Sequence, residues 1–307
     1  MILQPGHEGR EAPELFLSVN PPGFRLYDFK KRSRRPLSAC RVESGLFVIP
    51  RGGAAMEQLQ SLVEKKWEGR ASSYCEAITE ELNSFRRAAW LELIRGAVPA
   101  GDQPPNVLDV GTGPGFFAII LAGIGWRVRA VDCSSEMIRH ARGNAEHHRV
   151  SPEFQVMDSH CLNYPDDSFD LLLSRNVTWS LRDPEAAYRE WRRVLRPGGR
   201  LLIFDSNWYR HKFDPEARRL KEADEGEAFT RFGFQPFQEP DPELAEAIYS
   251  HLPLGRHLRP DWDLEKLAAL GFRELSVEAD LSERIWDEKE RLIYRSTPMF
   301  MIKAVKA

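Results

Sequence analysis

The sequence predicts an α/β fold built on an open, mostly parallel sheet, and three observations carry that expectation. Between residues 106 and 205, short Val/Leu/Ile-rich runs alternate with amphipathic stretches, the pattern of strands joined by crossover helices. The first run, Val107-Leu108-Asp109-Val110, breaks into a glycine turn, Gly111-Thr112-Gly113-Pro114-Gly115, and passes into an apolar helix starting at Phe116. The next two runs end in the carboxylates Asp132 and Asp158.

The bulk numbers bound the answer. At 307 residues the chain suffices for one large domain or two small ones. An apolar fraction of 42% and a charged fraction of 29% are ordinary for a soluble globular protein. The net charge of −3 disfavours a whole-chain polyanion binder, so nucleic acid is not the expected partner. No apolar run approaches a membrane span, and the N-terminus lacks a basic-then-apolar signal pattern. Cys40, Cys75, Cys133 and Cys161 show no metal-ligand or redox spacing; scattered thiols of this kind suit a reducing cytoplasm, the expected location.

Residues 1–55 read as a poorly ordered basic and proline-rich extension, with six prolines and the cluster Lys30-Lys31-Arg32-Ser33-Arg34-Arg35. One short stretch, 45–49, reads as a strand. Residues 56–307 read as a single domain. Its first part, 56–98, is helical, with Leu59, Leu62, Val63 and Trp67 on one stripe, a break at Gly69, and a continuation through Ile78, Leu82, Phe85, Ala89, Leu93 and Ile94. Strands are expected at 106–110, 127–131, 153–157, 169–174 and 200–205, and helices at 115–122, 135–147 and 184–195. Residues 206–259 break this rhythm and read as a helical cap insertion over the ligand edge, with helical patches at 215–225 and 242–251 around an aromatic middle, 232–237. A helix at 263–270 and strands at 272–278 and 298–303 complete the chain. The last two strands lack a clear crossover helix between them and are expected to pair antiparallel. The expected architecture is a Rossmann-like, doubly wound, seven-stranded sheet, mostly parallel with an antiparallel last strand, preceded by N-terminal helices.

The glycine spacing narrows the ligand. Closely spaced glycines let a ligand approach bare backbone, and the helix behind them points free N–H groups and its positive end at it. A dinucleotide site needs G-x-G-x-x-G. Here Gly111, Gly113 and Gly115 give G-x-G-x-G, and Phe116 stands where the third dinucleotide glycine belongs. No Gly-Lys-Ser/Thr follows, so a phosphate loop is excluded. Asp132, at a neighbouring strand end, suits a ribose diol, with Ser134 left to cap the next helix. Asp158 suits an exocyclic amine on adenine.

With these motifs the chain resembles the class I S-adenosylmethionine-dependent methyltransferases, and among them the small-molecule group that includes the ubiquinone/menaquinone-biosynthesis enzymes. The resemblance runs from about Trp67 to Asp205 and returns for the last two strands. It rests on 107–115, on Val131-Asp132, on Asp158 with 162–170, and on Trp191-Arg192-Arg193-Val194-Leu195-Arg196-Pro197-Gly198-Gly199. It implies S-adenosylmethionine as cofactor, with Asp109, Gly111, Thr112, Gly113 and Gly115 at its methionine part. It further implies Asp132 and Cys133 at the ribose, Met137 packed on the adenine, and Asp158, Ser159 and His160 at the adenine amine. Arg175 and Asn176 would border the transferring methyl. Trp67 and Tyr74 would close over the cofactor from an N-terminal helix, with simple core packing as the alternative.

In-line methyl transfer asks the protein mainly for placement. A general base is needed only if the acceptor must lose a proton. His160, Asn176, Asp205 and Tyr209 are the polar candidates near strand ends, with His160 the first choice for a base because its ordinary pKa lies near neutrality. The expected function is methyl transfer to a small organic acceptor under the cap. The alternatives are a non-catalytic cofactor-binding module, or a methyltransferase acting on RNA or protein through the Lys30 to Arg35 cluster. No metal site is expected, and the oligomeric state is open.

Overall fold

The computed structural model describes residues 24–26, 53–99, 101 and 103–307. Its strands are β1 (Phe24–Leu26), β2 (Asn106–Val110), β3 (Arg127–Asp132), β4 (Glu153–Val156), β5 (Phe169–Arg175), β6 (Leu195–Asp205), β7 (Phe272–Glu278) and β8 (Phe300–Lys306), in the order β1-β7-β8-β6-β5-β2-β3-β4. β2 pairs parallel with β3 and β5, β3 with β4, and β5 with β6, while β8 runs antiparallel to both β6 and β7. This is the seven-stranded arrangement expected, with the last strand reversed. β1 adds an eighth, edge strand, antiparallel to β7 with Phe24 opposite Glu278. Three residues are too few to show a period, so β1 was not legible in the sequence.

The helices are α1 (Gly53–Leu82), α2 (Arg86–Ala97), α3 (Phe116–Ala122), α4 (Ser135–His147), α5 (Pro184–Val194), α6 (Pro215–Phe232), α7 (Pro242–Tyr249), α8 (Asp261–Ala269), α9 (Ser282–Ile285) and α10 (Glu288–Ile293). Both sheet faces are covered, so successive strand residues feed opposite cores. Val107, Leu171, Leu173, Leu202 and Phe204 face α2 and α3, while Leu108, Leu172, Leu201 and Ile203 face α5 and α8. α3 is buried from Phe116 through Leu121, which explains why it is apolar all round. Each such large apolar side chain contributes about 1.5–3 kcal/mol by leaving water.

Several boundaries differ from the sequence expectation. The helix does not break at Gly69: α1 runs unbroken from Gly53 to Leu82. A mid-helix glycine costs about 1 kcal/mol, which is offset because Leu59 and Val63 pack with α7 and Ile78 and Leu82 pack on the sheet core. α6 extends to Phe232, where Gly233 at φ +64 caps it, so the aromatic middle begins as helix. β8 lies two to three residues later than expected. The β7 to β8 connector contains α9 and α10, the latter held by an Asp287–Glu290 capping box. The expected strand at 45–49 and the Lys30 to Arg35 cluster lie outside the described residues.

Candidate cofactor and acceptor site

The strand order reverses direction between β2 and β5, and ligands of open α/β sheets bind at the carboxyl ends of strands there. β2 delivers the glycine turn. Gly111, Gly113 and Gly115 sit at φ +71, +53 and +92, where glycine carries no Cβ penalty. At Gly111 a Cβ would lie 2.2 Å from Val177 Cγ2. Gly115 has a different job: a Cβ there would meet Ala141 at 3.1 Å and Phe154 at 3.3 Å, so this glycine lets α3 pack on α4 and β4.

Two small cavities flank the turn. One, of about 70 Å³, is lined by residues including Trp67, Tyr74, Gly111, Gly113, Asp132, Cys133, Met137, Met157, Ser159, Arg175 and Asn176. The other, of about 20 Å³, is lined by Asp109, Thr112, Gly113, Tyr74 and Arg175, among others. Trp67 and Tyr74 descend from α1, their rings edge-on at 5.8 Å. The two rings close the first cavity from the α1 side.

The acidic residues are in use as well as in place. The Asp132 Oδ2 accepts the Gly113 N–H at 2.9 Å and Oδ1 accepts the Ser134 N–H at 3.0 Å. An ionised carboxylate has about four acceptor positions, so two remain for a ligand diol. Ser134 caps α4 by accepting the Met137 N–H at 3.2 Å. The Asp109 Oδ2 accepts the Thr112 hydroxyl at 2.7 Å; burial raises its pKa to about 6 against that hydrogen bond and the Arg175 charge. Burial likewise raises Asp132 and the Cys133 thiol.

Three of the residues expected at the cofactor line neither cavity: Gly115, Asp158 and His160. The Asp158 Oδ1 accepts both the backbone N–H and Nδ1 of His160, at 2.9 and 2.7 Å, and its Oδ2 accepts Arg182 at 2.5 Å. Burial opposes the Asp158 charge, but the His160 and Arg182 hydrogen bonds prevail and hold its pKa below the usual carboxylate range. The second His160 nitrogen, Nε2, accepts the Asp183 N–H at 3.3 Å. With both ring nitrogens engaged, His160 pins the loop after β4 to the start of α5 and has no lone pair free for an acceptor. Asp205 is similarly committed, to Arg259 at 2.8 Å, to the Thr178 hydroxyl, and to the Trp179 N–H at 2.9 Å.

A larger cleft of about 760 Å³ adjoins the cofactor cavity. Trp67, Tyr74 and Asn176 line both. Its walls come from α1, the residues after β5 and β6, and the cap insertion, and include Trp179, Trp208, Tyr209, Phe234, Phe237 and Tyr249. Tyr209 stacks on Tyr249 at 3.8 Å and donates its hydroxyl to the Tyr249 oxygen at 2.8 Å. Trp179 and Tyr209 rings lie 4.7 Å apart. Arg70, Lys66, Glu81, Glu239 and Tyr249 were not singled out from the sequence. They lie on long helices or in the cap, and nothing in local spacing distinguishes them from surface charge or core aromatics.

A protein-family profile described as a methyltransferase domain matches residues 108–203, the stretch from β2 through most of β6. Residues 108–203 belong to the class I S-adenosylmethionine-dependent methyltransferases. The cofactor of the methyltransferase domain is S-adenosylmethionine, and the glycine cradle, the free acceptor positions of Asp132 and the buried Asp109–Thr112 pair fit it. The chain is 31% identical over 186 residues to an uncharacterised 37.1 kDa protein of a Streptomyces fradiae transposon, covering 58% of this chain and 51% of that protein. It is 30% identical over 156 residues to the ubiquinone/menaquinone biosynthesis C-methyltransferase of Bradyrhizobium diazoefficiens, covering 48% of this chain and 60% of that protein. It thus spans less than two thirds of either relative. A solved S-adenosylmethionine-dependent methyltransferase of Thermotoga maritima shares the fold at 18% identity and a TM-score of 0.50, over 80% of this chain and 99% of that one. No helix among the described residues is long and apolar enough to cross a membrane, and no cluster of His, Cys, Asp and Glu among them is arranged to hold a metal ion.

Proposed function

We propose that the chain transfers a methyl group to a small organic acceptor held in the cleft between α1, the end of β6 and the cap. The observation that carries this reading is the shared wall: Trp67, Tyr74 and Asn176 border both the cofactor cavity and the cleft, so a group in one space faces a group in the other. When bound, S-adenosylmethionine would supply an activated methyl, which an in-line nucleophile takes as the sulfur leaves as the neutral thioether of S-adenosylhomocysteine. The chain's own residues bind and orient. Asp132 takes the ribose hydroxyls, beside Cys133. Gly111 and Gly113 give close backbone approach. Met137, Met157 and Ser159 surround the base, while Asp109 with Thr112 faces the methionine end, with Arg175 beside them. Asn176, held at φ +59 with its Oδ1 buried and unpartnered among the described residues, points a polar group at the junction.

Of the three residues expected to act in catalysis, His160 is taken up by Asp158 and Asp183, leaving Asn176 and Tyr209. Burial raises Tyr209 to about 12 despite the Tyr249 hydrogen bond, so at neutral pH its phenol stays protonated and orients an acceptor rather than removing a proton. Aromatic walls keep water from the reacting centre. Placement of this kind supplies part of the roughly 7–11 kcal/mol available from proximity.

The test is calorimetric titration with S-adenosylhomocysteine, followed by its release over a panel of small acceptors. We expect wild type to bind and Asp132→Ala to bind at least about tenfold more weakly, a loss of about 1.4 kcal/mol. No binding at about 1 mM ligand, where the binding free energy would be only about −4.1 kcal/mol, sinks the reading, as does an unchanged affinity in the variant.

A further inference from the structure

Resting on the methyltransferase reading, we infer that the acceptor carries an anionic oxygen group, a carboxylate or phosphate, held by Arg70 beside the aromatic wall of the cleft. Trp67, Arg70 and Tyr74 are spaced three and four apart on α1 and so share one helix face. That face lines the cleft at all three positions, and Tyr74 also lines the cofactor cavity. Four residues of helix rise about 6 Å, so Arg70 stands about that far along α1 from the ring bordering the methyl-transfer junction.

The charges around the cleft separate into committed and uncommitted groups. Glu239 accepts Lys66 at 2.9 Å and also takes the Tyr249 hydroxyl. Glu246 is paired with Lys212 at 2.6 Å, and Glu225 with Lys221. Glu222 is exposed at the rim. The inward carboxylates are therefore satisfied by the protein's own cations, which leaves little to attract a cationic acceptor. Arg218 is exposed and donates to the His211 carbonyl at 3.1 Å. Arg70 differs from all of these. Its guanidinium has no carboxylate within ion-pair distance among the described residues, and its Nε is buried without a hydrogen-bond partner. Instead its carbon sits 4.1 Å from the Phe237 ring centroid and 5.7 Å from that of Trp67. Rings on its faces leave the edge of the fork, where its N–H donors lie, for a planar or tetrahedral oxyanion. His211, in the same wall, is kept neutral at physiological pH by burial and by Lys221 and Lys212, its pKa lowered to about 4, so it adds no competing charge.

The body of such an acceptor is aromatic or otherwise flat and apolar, because Trp179, Tyr209, Tyr249 and Phe237 offer ring faces. The test uses the full chain, with and without S-adenosylhomocysteine, titrated calorimetrically with three matched probes: 2-naphthoate, 2-naphthyl phosphate and the neutral 2-naphthamide. We expect wild type to bind at least one anion about tenfold or more tighter than the amide, as a charge-assisted, fork-shaped contact demands. A preference for naphthoate alone assigns a carboxylate, and for the phosphate alone a phosphate. Arg70→Gln should bring the anion-to-amide ratio within about twofold of unity and Arg70→Lys should fall between, both with unchanged S-adenosylhomocysteine affinity, since Arg70 does not line the cofactor cavity. Equal binding of amide and anions by wild type, failure of both anions to bind, or an Arg70→Gln variant that keeps the preference overturns the inference. A chain that never binds S-adenosylhomocysteine yet shows the Arg70-dependent preference keeps the anion site and loses the methyltransferase reading.

Discussion

Arg175 and Glu81 form a bidentate ion pair, Nη1 to Oε1 at 2.6 Å and Nη2 to Oε2 at 3.0 Å, that joins the last residue of β5 to the last turn of α1. The side chains are 11% and 14% exposed. Trp90 Nε1 donates to the same Oε1 at 3.0 Å, and the guanidinium carbon lies 4.5 Å from the Phe116 ring centroid. Burial works against the Arg175 charge, and Glu81 keeps it in place. The helix that carries Trp67 and Tyr74 is thus fastened to the sheet edge by a buried charge.

Glu81→Gln leaves that guanidinium without its counter-charge. Breaking one side of a largely buried pair costs about 3–5 kcal/mol, and urea denaturation should show a loss near the lower end. Replacing both partners, Glu81→Leu with Arg175→Met, should cost less than Glu81→Gln alone. A loss below about 1 kcal/mol in the single variant is what solvent-exposed pairs give and contradicts this account.

Asp109 makes stability and affinity depend on pH in opposite ways. Its folded pKa of about 6 lies above the roughly 3.9 of an unfolded aspartate. The folded state therefore holds the proton longer, and its contribution is full below pH 4 and lost as pH rises through about 6, on the order of 3 kcal/mol. Denaturation of Asp109→Asn between pH 4 and 7 should lack that decline. The ionised carboxylate is the form that attracts a ligand ammonium, so S-adenosylhomocysteine should bind wild type more weakly as pH falls below about 6. Parallel pH profiles in wild type and variant would refute the assignment.

Gly111→Ala meets two obstacles at once: φ +71 and a Cβ 2.2 Å from Val177 Cγ2. The backbone strain alone costs about 1–3 kcal/mol. Removing the clash with Val177→Ala should restore part of the lost stability, leaving the strain. If the double variant is no more stable than the single, Val177 is not the obstacle.

Much of this molecule is written locally. The central strands β2, β5 and β6 show as apolar runs because both their faces are buried, and the glycine turn and Asp132 show because nucleoside binding asks for bare backbone and a strand-end carboxylate at short spacing. The reversal of β8 was expected because no clear crossover helix shows between the last two strands, and the helices found there, α9 and α10, are only four and six residues long. Local pattern failed where the deciding partner is distant in sequence. His160 looked like a base until Asp183 and Asp158 closed on its two nitrogens, and Gly69 looked like a break until packing on both sides of it held α1 straight. Gly115 looked like cradle and proved to be the contact between α3 and α4.

The sequence by itself determined the sheet, its ligand edge and the class of cofactor, since these depend on periodicity and on residues within a few positions of each other. The tertiary structure alone decided which charges are spent and which remain. Glu81 with Arg175 and Arg259 with Asp205 are separated by 94 and 54 residues. Whether a cation is neutralised is a question of who stands within a few ångströms, and only the folded chain leaves Arg70 at the cleft without an ion-pair carboxylate among the described residues.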